Sequence, residues 1–218
     1  VTCARASVTV KDGSGEIATG WGETPLSVTW VWPSSLPYET RHEALKSFCI
    51  ELASRWATFE SDGHPMEIGQ KFQETELPNL LEGFNKNQSF EEPMPWLAAL
   101  VCFSPFDIAL HDAYGRAHGK PVYELYNSTY MNADLSSYLE PVAGSDISFS
   151  GLYPEDFFVP DVKRSLPAWH LVGGTDPVDR EELTGSEPDD GYPVVLPDWI
   201  DTDGLFCLKI KLRGNDSG

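Results

Sequence analysis

The segment Leu205-Phe206-Cys207-Leu208-Lys209-Ile210-Lys211-Leu212 alternates with a period of two, and a chain that carries it must supply a layer to cover it. Phe206, Leu208, Ile210 and Leu212 fall on one face, and Leu205, Cys207, Lys209 and Lys211 on the other, as side chains do along a β-strand. The first face is wholly apolar and predicts a strand packed beneath other structure. The second begins apolar and ends in two lysines, about 7 Å apart at the usual strand rise. Two readings of that pair stand. Edge strands carry lysines to discourage pairing with other chains. Alternatively, two ammonium groups this close, partly shielded from water, disfavour each other's charge. One lysine is then neutral near pH 7 and able to take a proton from a weak carbon acid.

Charge narrows the partners. Acidic residues outnumber basic ones 34 to 15, for a formal charge of −19. Such a surface repels phosphate backbones and anionic lipid, so neither nucleic acid nor a membrane surface is an expected partner. No apolar run approaches the roughly 18 residues that a span needs, and no signal peptide is recognisable. With 218 residues, 41% of them hydrophobic, the chain can bury the core of one or two domains. Cys3, Cys49, Cys102 and Cys207 are scattered without metal-ligand spacing. They read as buried free thiols in a reducing compartment, the cytoplasm. The chain opens on Val1, already inside an apparent strand, which suggests that the native start is missing.

The first half reads as a hairpin followed by helices. Ala6–Val10 and Glu16–Trp21 are strand-like and flank Asp12-Gly13, a hairpin signal. A loop rich in large side chains follows, with Trp30 and Trp32, either covering a site or tucked into a satellite core. Thr40-Arg41-His42-Glu43 has the form of a capping box, and helical spacing from Leu45 to Trp56 predicts a helix to about Phe59, with His42 solvated. A less regular helical segment, Glu67–Phe84, is interrupted by Pro78. Trp96–Phe103 opens a third helix, Ser104-Pro105-Phe106-Asp107 caps or kinks it, and it continues to His118. Gly119 and Pro121 stop it, and Val122–Tyr126 adds a short turn.

From Ala133 the pattern changes. Ala133–Pro141 alternates as a strand that includes Tyr138. Val142–Asp203 then shows little periodicity and is rich in proline, glycine and acids, most of all over Asp176–Asp190. A run this long suits a lid, an interface or a mobile insert. Asp201-Thr202-Asp203-Gly204 begins like a calcium loop, but the following ligand positions are apolar, which rules it out.

Three stretches together resemble the enolase superfamily, in its mandelate racemase/muconate lactonizing enzyme branch. The hairpin, with Asp12-Gly13-Ser14-Gly15 and Gly20-Trp21-Gly22-Glu23, is similar to that family's opening. Ser104–Tyr126, SPFDIALHDAYGRAHGKPVYELY, resembles the helix that ends its capping domain and is the most specific of the three. Lys209-Ile210-Lys211 resembles its Lys-x-Lys motif on the second barrel strand, displaced by the insert. The fold implied is an α+β capping domain, a β-hairpin then helices, over residues 1–130. Residues 131–218 would be the first strands of a TIM-type (β/α) barrel, with the insert at about 142–203 and the barrel incomplete.

The resemblance also implies chemistry: removal of the α-proton of a carboxylate substrate to give an enediolate held on Mg²⁺. Racemisation, epimerisation, cycloisomerisation or dehydration would follow. Lys211 takes the role of base and Lys209 that of its electrostatic partner. Trp30 and Trp32, on the loop matching the family's specificity loop, are substrate-binding candidates, with Tyr138 beside them. Asp107 and Asp112 match structural acids. No metal ligand is assigned in this chain; the acids that hold Mg²⁺ are expected outside it, with the rest of the barrel as a second chain, and homo-oligomers are common in the family. The alternative is a non-catalytic relative that serves as a binding or assembly module.

Overall fold

Cys3–Lys11 (β1) and Ile17–Pro25 (β2) form an antiparallel hairpin, Cys3 opposite Pro25 and Lys11 opposite Ile17, in the computed structural model, which describes residues 2–88 and 90–211. Asp12 closes the turn: its Oδ1 accepts the N–H groups of Ser14 and Glu16 at 2.9 and 2.8 Å, and Gly15 takes the positive φ. The chain divides into two compact units, Val1–Phe158 and Val159–Gly218.

In the first unit the hairpin lies on a single long helix, Trp96–His118 (α5). The approach is so close that only glycine fits on the strand. A Cβ at Gly20 would stand 2.1 Å from the Ala113 nitrogen, and one at Gly22 would stand 2.0 Å from the Pro105 carbonyl oxygen. The expected kink at Ser104–Asp107 is absent, because α5 runs through Pro105 unbroken. Proline removes the N–H that would bond the Val101 carbonyl. The Ser104 hydroxyl donates to that carbonyl instead, at 3.0 Å, and lies 2.7 Å from the Thr24 hydroxyl of β2. Gly119, with φ 60°, ends the helix as expected. By length and hydropathy alone α5 could cross a bilayer, contrary to the sequence reading, yet ten of its residues are buried among protein.

Four further helices build the core around it. They are Val28–Val31 (α1), Tyr38–Trp56 (α2), Pro65–Thr75 (α3) and Leu77–Gln88 (α4). Leu45, Phe48 and Leu52 of α2 meet Phe72, Phe84 and Cys102 in the interior, and Trp56 stacks on Phe72 with ring centres 4.2 Å apart. Thr40–Glu43 is not a capping box. Helix α2 starts earlier, with Pro37 at its N-cap and no side-chain cap. The capping box is at α3, where His64 Nδ1 accepts from Met66 N and Glu67 accepts from His64 N. The expected strand Ala133–Pro141 is a 3-10 turn over Leu135–Ser137, since Asp134 takes the Ser136 N–H at 3.0 Å and the Gly151 N–H at 2.6 Å, a local alternative to a ladder.

In the second unit His170–Val172 (β3) pairs in parallel with Leu208–Ile210 (β4), and Leu196–Asp203 (α6) lies between them in sequence. Asp201–Asp203 closes α6, and Gly204, at φ 62°, ends it. Only Leu208–Ile210 of the final alternating segment is strand, and its expected buried face is open: Phe206 is 79% and Ile210 68% exposed. Leu212 lies outside the described residues.

The architecture corrects the expected fold class. Among the described residues the chain is mixed α+β, mostly helical, with two sheets of two strands each and no barrel. A capping domain with the start of a barrel is not what forms. Two parallel strands of three residues neither curve into nor close a barrel. The segment expected to be the first barrel strand is bent by its own aspartate.

Candidate functional site

The residues singled out from sequence fall into both units. Lys209 and Lys211 stand on one side of the short strand in the second unit, both exposed, and the Lys211 N–H extends the ladder to the Val172 carbonyl at 2.9 Å. The shielding from water that would favour a neutral lysine is not present around them among the described residues. Trp30, Trp32 and Tyr138 belong to the first unit, where Tyr138 lines a cleft that neither tryptophan lines. Trp30 is 65% exposed, whereas Trp32 is 2% exposed and meets the Phe90 ring edge-on. Tyr138 is half-buried; among the described residues its hydroxyl has no hydrogen-bond partner, and burial and then Glu67 push its pKa up to about 12. His42, expected at the surface, is mostly covered and tilts against Tyr38.

The first unit holds a polar cluster that the sequence reading passed over. Asp107 and His111 are one turn apart on α5, with His111 Nε2 4.0 Å from Asp107 Oδ2 and Nδ1 2.8 Å from the Tyr126 hydroxyl. His64, with no exposed surface, sets its ring edge-on to Tyr114 and Tyr126 at 5.1 and 5.4 Å. Glu67 anchors the surrounding backbone: Oε1 accepts from Asn132 N and Ala133 N at 2.6 and 3.0 Å, and Oε2 accepts from Asn132 Nδ2 at 2.8 Å. Asp107 packs against a glycine, since a Cβ at Gly69 would stand 2.3 Å from its Oδ1.

Burial sets the electrostatics. It lowers His64 to about 4, against the pull of Glu67, and lowers His111 to about 4 with help from His64. The same burial raises Asp107 to about 6 and Tyr126 to about 12. Glu67 stays below its ordinary value; burial opposes this, but the hydrogen bonds from Asn132, His64 and Ala133 prevail. A carboxyl that changes charge near pH 6 thus faces a neutral imidazole bonded to a phenol, an arrangement able to hold and pass a proton. Asp107 and His111 line two clefts, one of about 420 Å³ with Tyr138 and Phe103, the other of about 810 Å³ with Tyr126 and Arg116. The sequence signal was their spacing of four on one helix face.

Among the described residues no three His, Cys, Asp or Glu side chains come together in a way that could hold a metal ion. Compared with known proteins, the chain matches no family model, no curated protein and no solved structure.

Proposed function

We propose that the chain is part of an enzyme of the enolase-superfamily kind, which removes the α-proton of a carboxylate substrate, with Lys211 as base and Lys209 beside it as a second cation. A single observation supports this reading most. The hairpin and Ser104–Tyr126, the stretches that carry the resemblance, lie some 80 residues apart in sequence and come into close backbone contact in the first unit. Gly20 and Gly22 sit on Ala113 and Pro105, the Trp21 N–H bonds Asp112 at 2.9 Å, and Thr24 bonds Ser104. Chance likeness in two unrelated segments gives no reason for their specific residues to interlock. In this reading Asp112 is structural, bonded to the hairpin and to Arg116.

Lys209 and Lys211 are both exposed, so base chemistry there needs a bound substrate or further protein to exclude water. Lys209, two residues away on the same side, then opposes the charge on Lys211 and attracts the substrate carboxylate. The test is exchange of the α-proton in deuterated buffer, measured by NMR on a panel of aromatic 2-hydroxy acids, dipeptides and sugar acids. Wild-type protein should exchange at least one of them, and Lys211→Ala should not. Exchange that survives Lys211→Ala removes the base from the proposal.

The exposure of both lysines favours a second reading, a non-catalytic binding or assembly module. Binding of a panel acid without exchange in the wild type would select it.

A further inference from the structure

The acidic run Asp176–Asp190 borders a cavity of about 530 Å³ in the second unit. Its wall is aromatic. Trp199 on α6 has the His170 ring 5.2 Å away, tilted by 40°, and the Tyr192 ring 6.3 Å away, within 15° of parallel. Proline and valine side chains complete the apolar lining. Among the described residues the charged groups at the cavity are Asp176 and Asp190, and no lysine or arginine lines it. Both aspartates are held in place: Asp176 accepts the Gly173 N–H at 2.6 Å and Asp190 the Tyr192 N–H at 3.2 Å. Each has acceptor capacity to spare.

We propose that this cavity binds a small organic cation with apolar bulk around its charge, a quaternary or methylated ammonium, against the faces of Trp199 and Tyr192 and under the field of Asp176 and Asp190. Ring faces carry the negative part of the aromatic quadrupole and attract a cation within about 6 Å of their centres. Methyl groups on the nitrogen suit an apolar wall and weaken hydration, which favours such a cation over a bare ammonium that would have to shed tightly held water. Fixed carboxylates select the sign. They disfavour an anion and leave a neutral ligand without a charge partner, so charge complementarity decides the occupant. The volume is that of a small-molecule site. The proposal does not rest on the role of Lys209 and Lys211, whose segment pairs with the cavity-lining strand β3, Leu171 opposite Lys209.

The experiment is a titration of the full chain, followed by heteronuclear NMR, with choline and with its neutral isostere 3,3-dimethylbutan-1-ol, at fixed ionic strength. Choline should saturate with shifts centred on the Trp199 and Tyr192 resonances, and the isostere should bind about tenfold more weakly, as loss of a cation–π contact and its counter-charge predicts. Trp199→Ala should abolish saturation and Asp190→Asn should weaken choline several-fold. If Trp199→Ala disturbs the second unit, Trp199→Phe, which keeps a ring, should retain binding and Tyr192→Ala should lose most of it. Equal binding of the two ligands, no saturable shifts, or choline binding unchanged in the wall variants would overturn the proposal. A trimethyllysine peptide binding at least tenfold more tightly than choline would overturn the assignment to a small molecule.

Discussion

The two units use similar ingredients to opposite effect. Each brings a pair of strands together with a helix. In the first unit the strands are nine residues long and the helix has 23; in the second, three and eight. The first hides Phe48, Phe72, Phe84 and Trp32 completely or nearly so, whereas in the second Val172 and Val195 are buried while Phe206, Leu166, Trp169 and Ile210 stay more than half exposed. Apolar pattern is thus not what separates them. The first unit has glycines that let helix and sheet backbones touch, and through them side chains further along each element reach a common interior. The second has no such contact among its described residues, and its alternating strand ends with its apolar side in solvent.

Breaking the backbone contact should have the largest effect. Gly20→Val puts branched carbon where the Ala113 nitrogen stands 2.1 Å from a single Cβ. Neither backbone can yield without losing the hairpin, so the expected loss is about 4 kcal/mol or more, enough to abolish the cooperative thermal transition seen by circular dichroism. The matching change in the second unit, Gly204→Ala, meets nothing nearby and suffers only its positive φ of 62°, for about 1 kcal/mol. Comparable losses in the two variants would erase the distinction between the units.

The tryptophan pair sharpens it within one short stretch, Trp30 in α1 and Trp32 just past its end. Trp32→Ala empties a filled site against Phe90 and should lose about 3–5 kcal/mol in urea denaturation. Trp30→Ala, two residues earlier and 65% exposed, should change stability by less than about 0.5 kcal/mol. A drop in α-proton exchange in Trp30→Ala without loss of stability would make Trp30 a substrate contact; Trp32 has no such clean variant.

Legibility follows from the same contrast. Helix α5, its glycine stop and the hairpin were readable because periodicity, a turn signal and a C-cap are local. The break between α3 and α4 was blurred into one segment interrupted at Pro78, since proline marks a helix start as readily as a stop. Asp134 turned an alternating strand pattern into a 3-10 turn through a hydrogen bond that composition does not show. The interior role of Trp32 and the cover of His64 depend on elements distant in sequence. Asp107 and His111 were visible as a spacing of four, but their proton chemistry comes from burial, which only packing reveals. Conversely, the lysine pair was the most legible feature of all, and the environment that would make it reactive is absent among the described residues.

Ser104 offers a smaller test of why α5 survives its proline. Ser104→Ala leaves the Val101 carbonyl without the hydroxyl at 3.0 Å and severs the link to Thr24. The loss should be about 1–2 kcal/mol, with faster amide exchange confined to the turn around Val101. Ser104→Thr keeps the hydroxyl and should restore most of it. Uniform exchange along α5 in Ser104→Ala would mean that the proline is tolerated for another reason.

The smallest effect concerns proton affinity in the buried cluster. His64 and His111 hold folded values of about 4, below the ordinary 6.5. The unfolded chain therefore binds more protons between these limits, and their contribution to stability is present above 6.5 and lost as the pH falls through 4. Asp107 runs the other way. Its folded value of about 6 exceeds 3.8, so its contribution is present at low pH and lost as the pH rises through 6. The groups that share its clefts are His111 on its own helix, Glu74 on α3 and Tyr138 in one, and Asp112, Arg116, Lys120 and Tyr126 in the other; among the described residues no lysine or arginine lines the 420 Å³ cleft. Two histidines against one carboxyl leave a net loss on acidification from pH 6.5 to 4, which urea midpoints should follow. Asp107→Asn keeps the shape against Gly69 and removes the opposing group. It should stabilise the first unit at pH 7.5 and steepen its decline toward pH 4. Because the Asp107 side chain is 35% exposed, solvent screening keeps the gain below about 1 kcal/mol. A gain of the same size at pH 7.5 and pH 4 would mean that the carboxyl does not titrate in this range. The cluster would then differ from the exposed lysines of the second unit only in packing, not in chemistry.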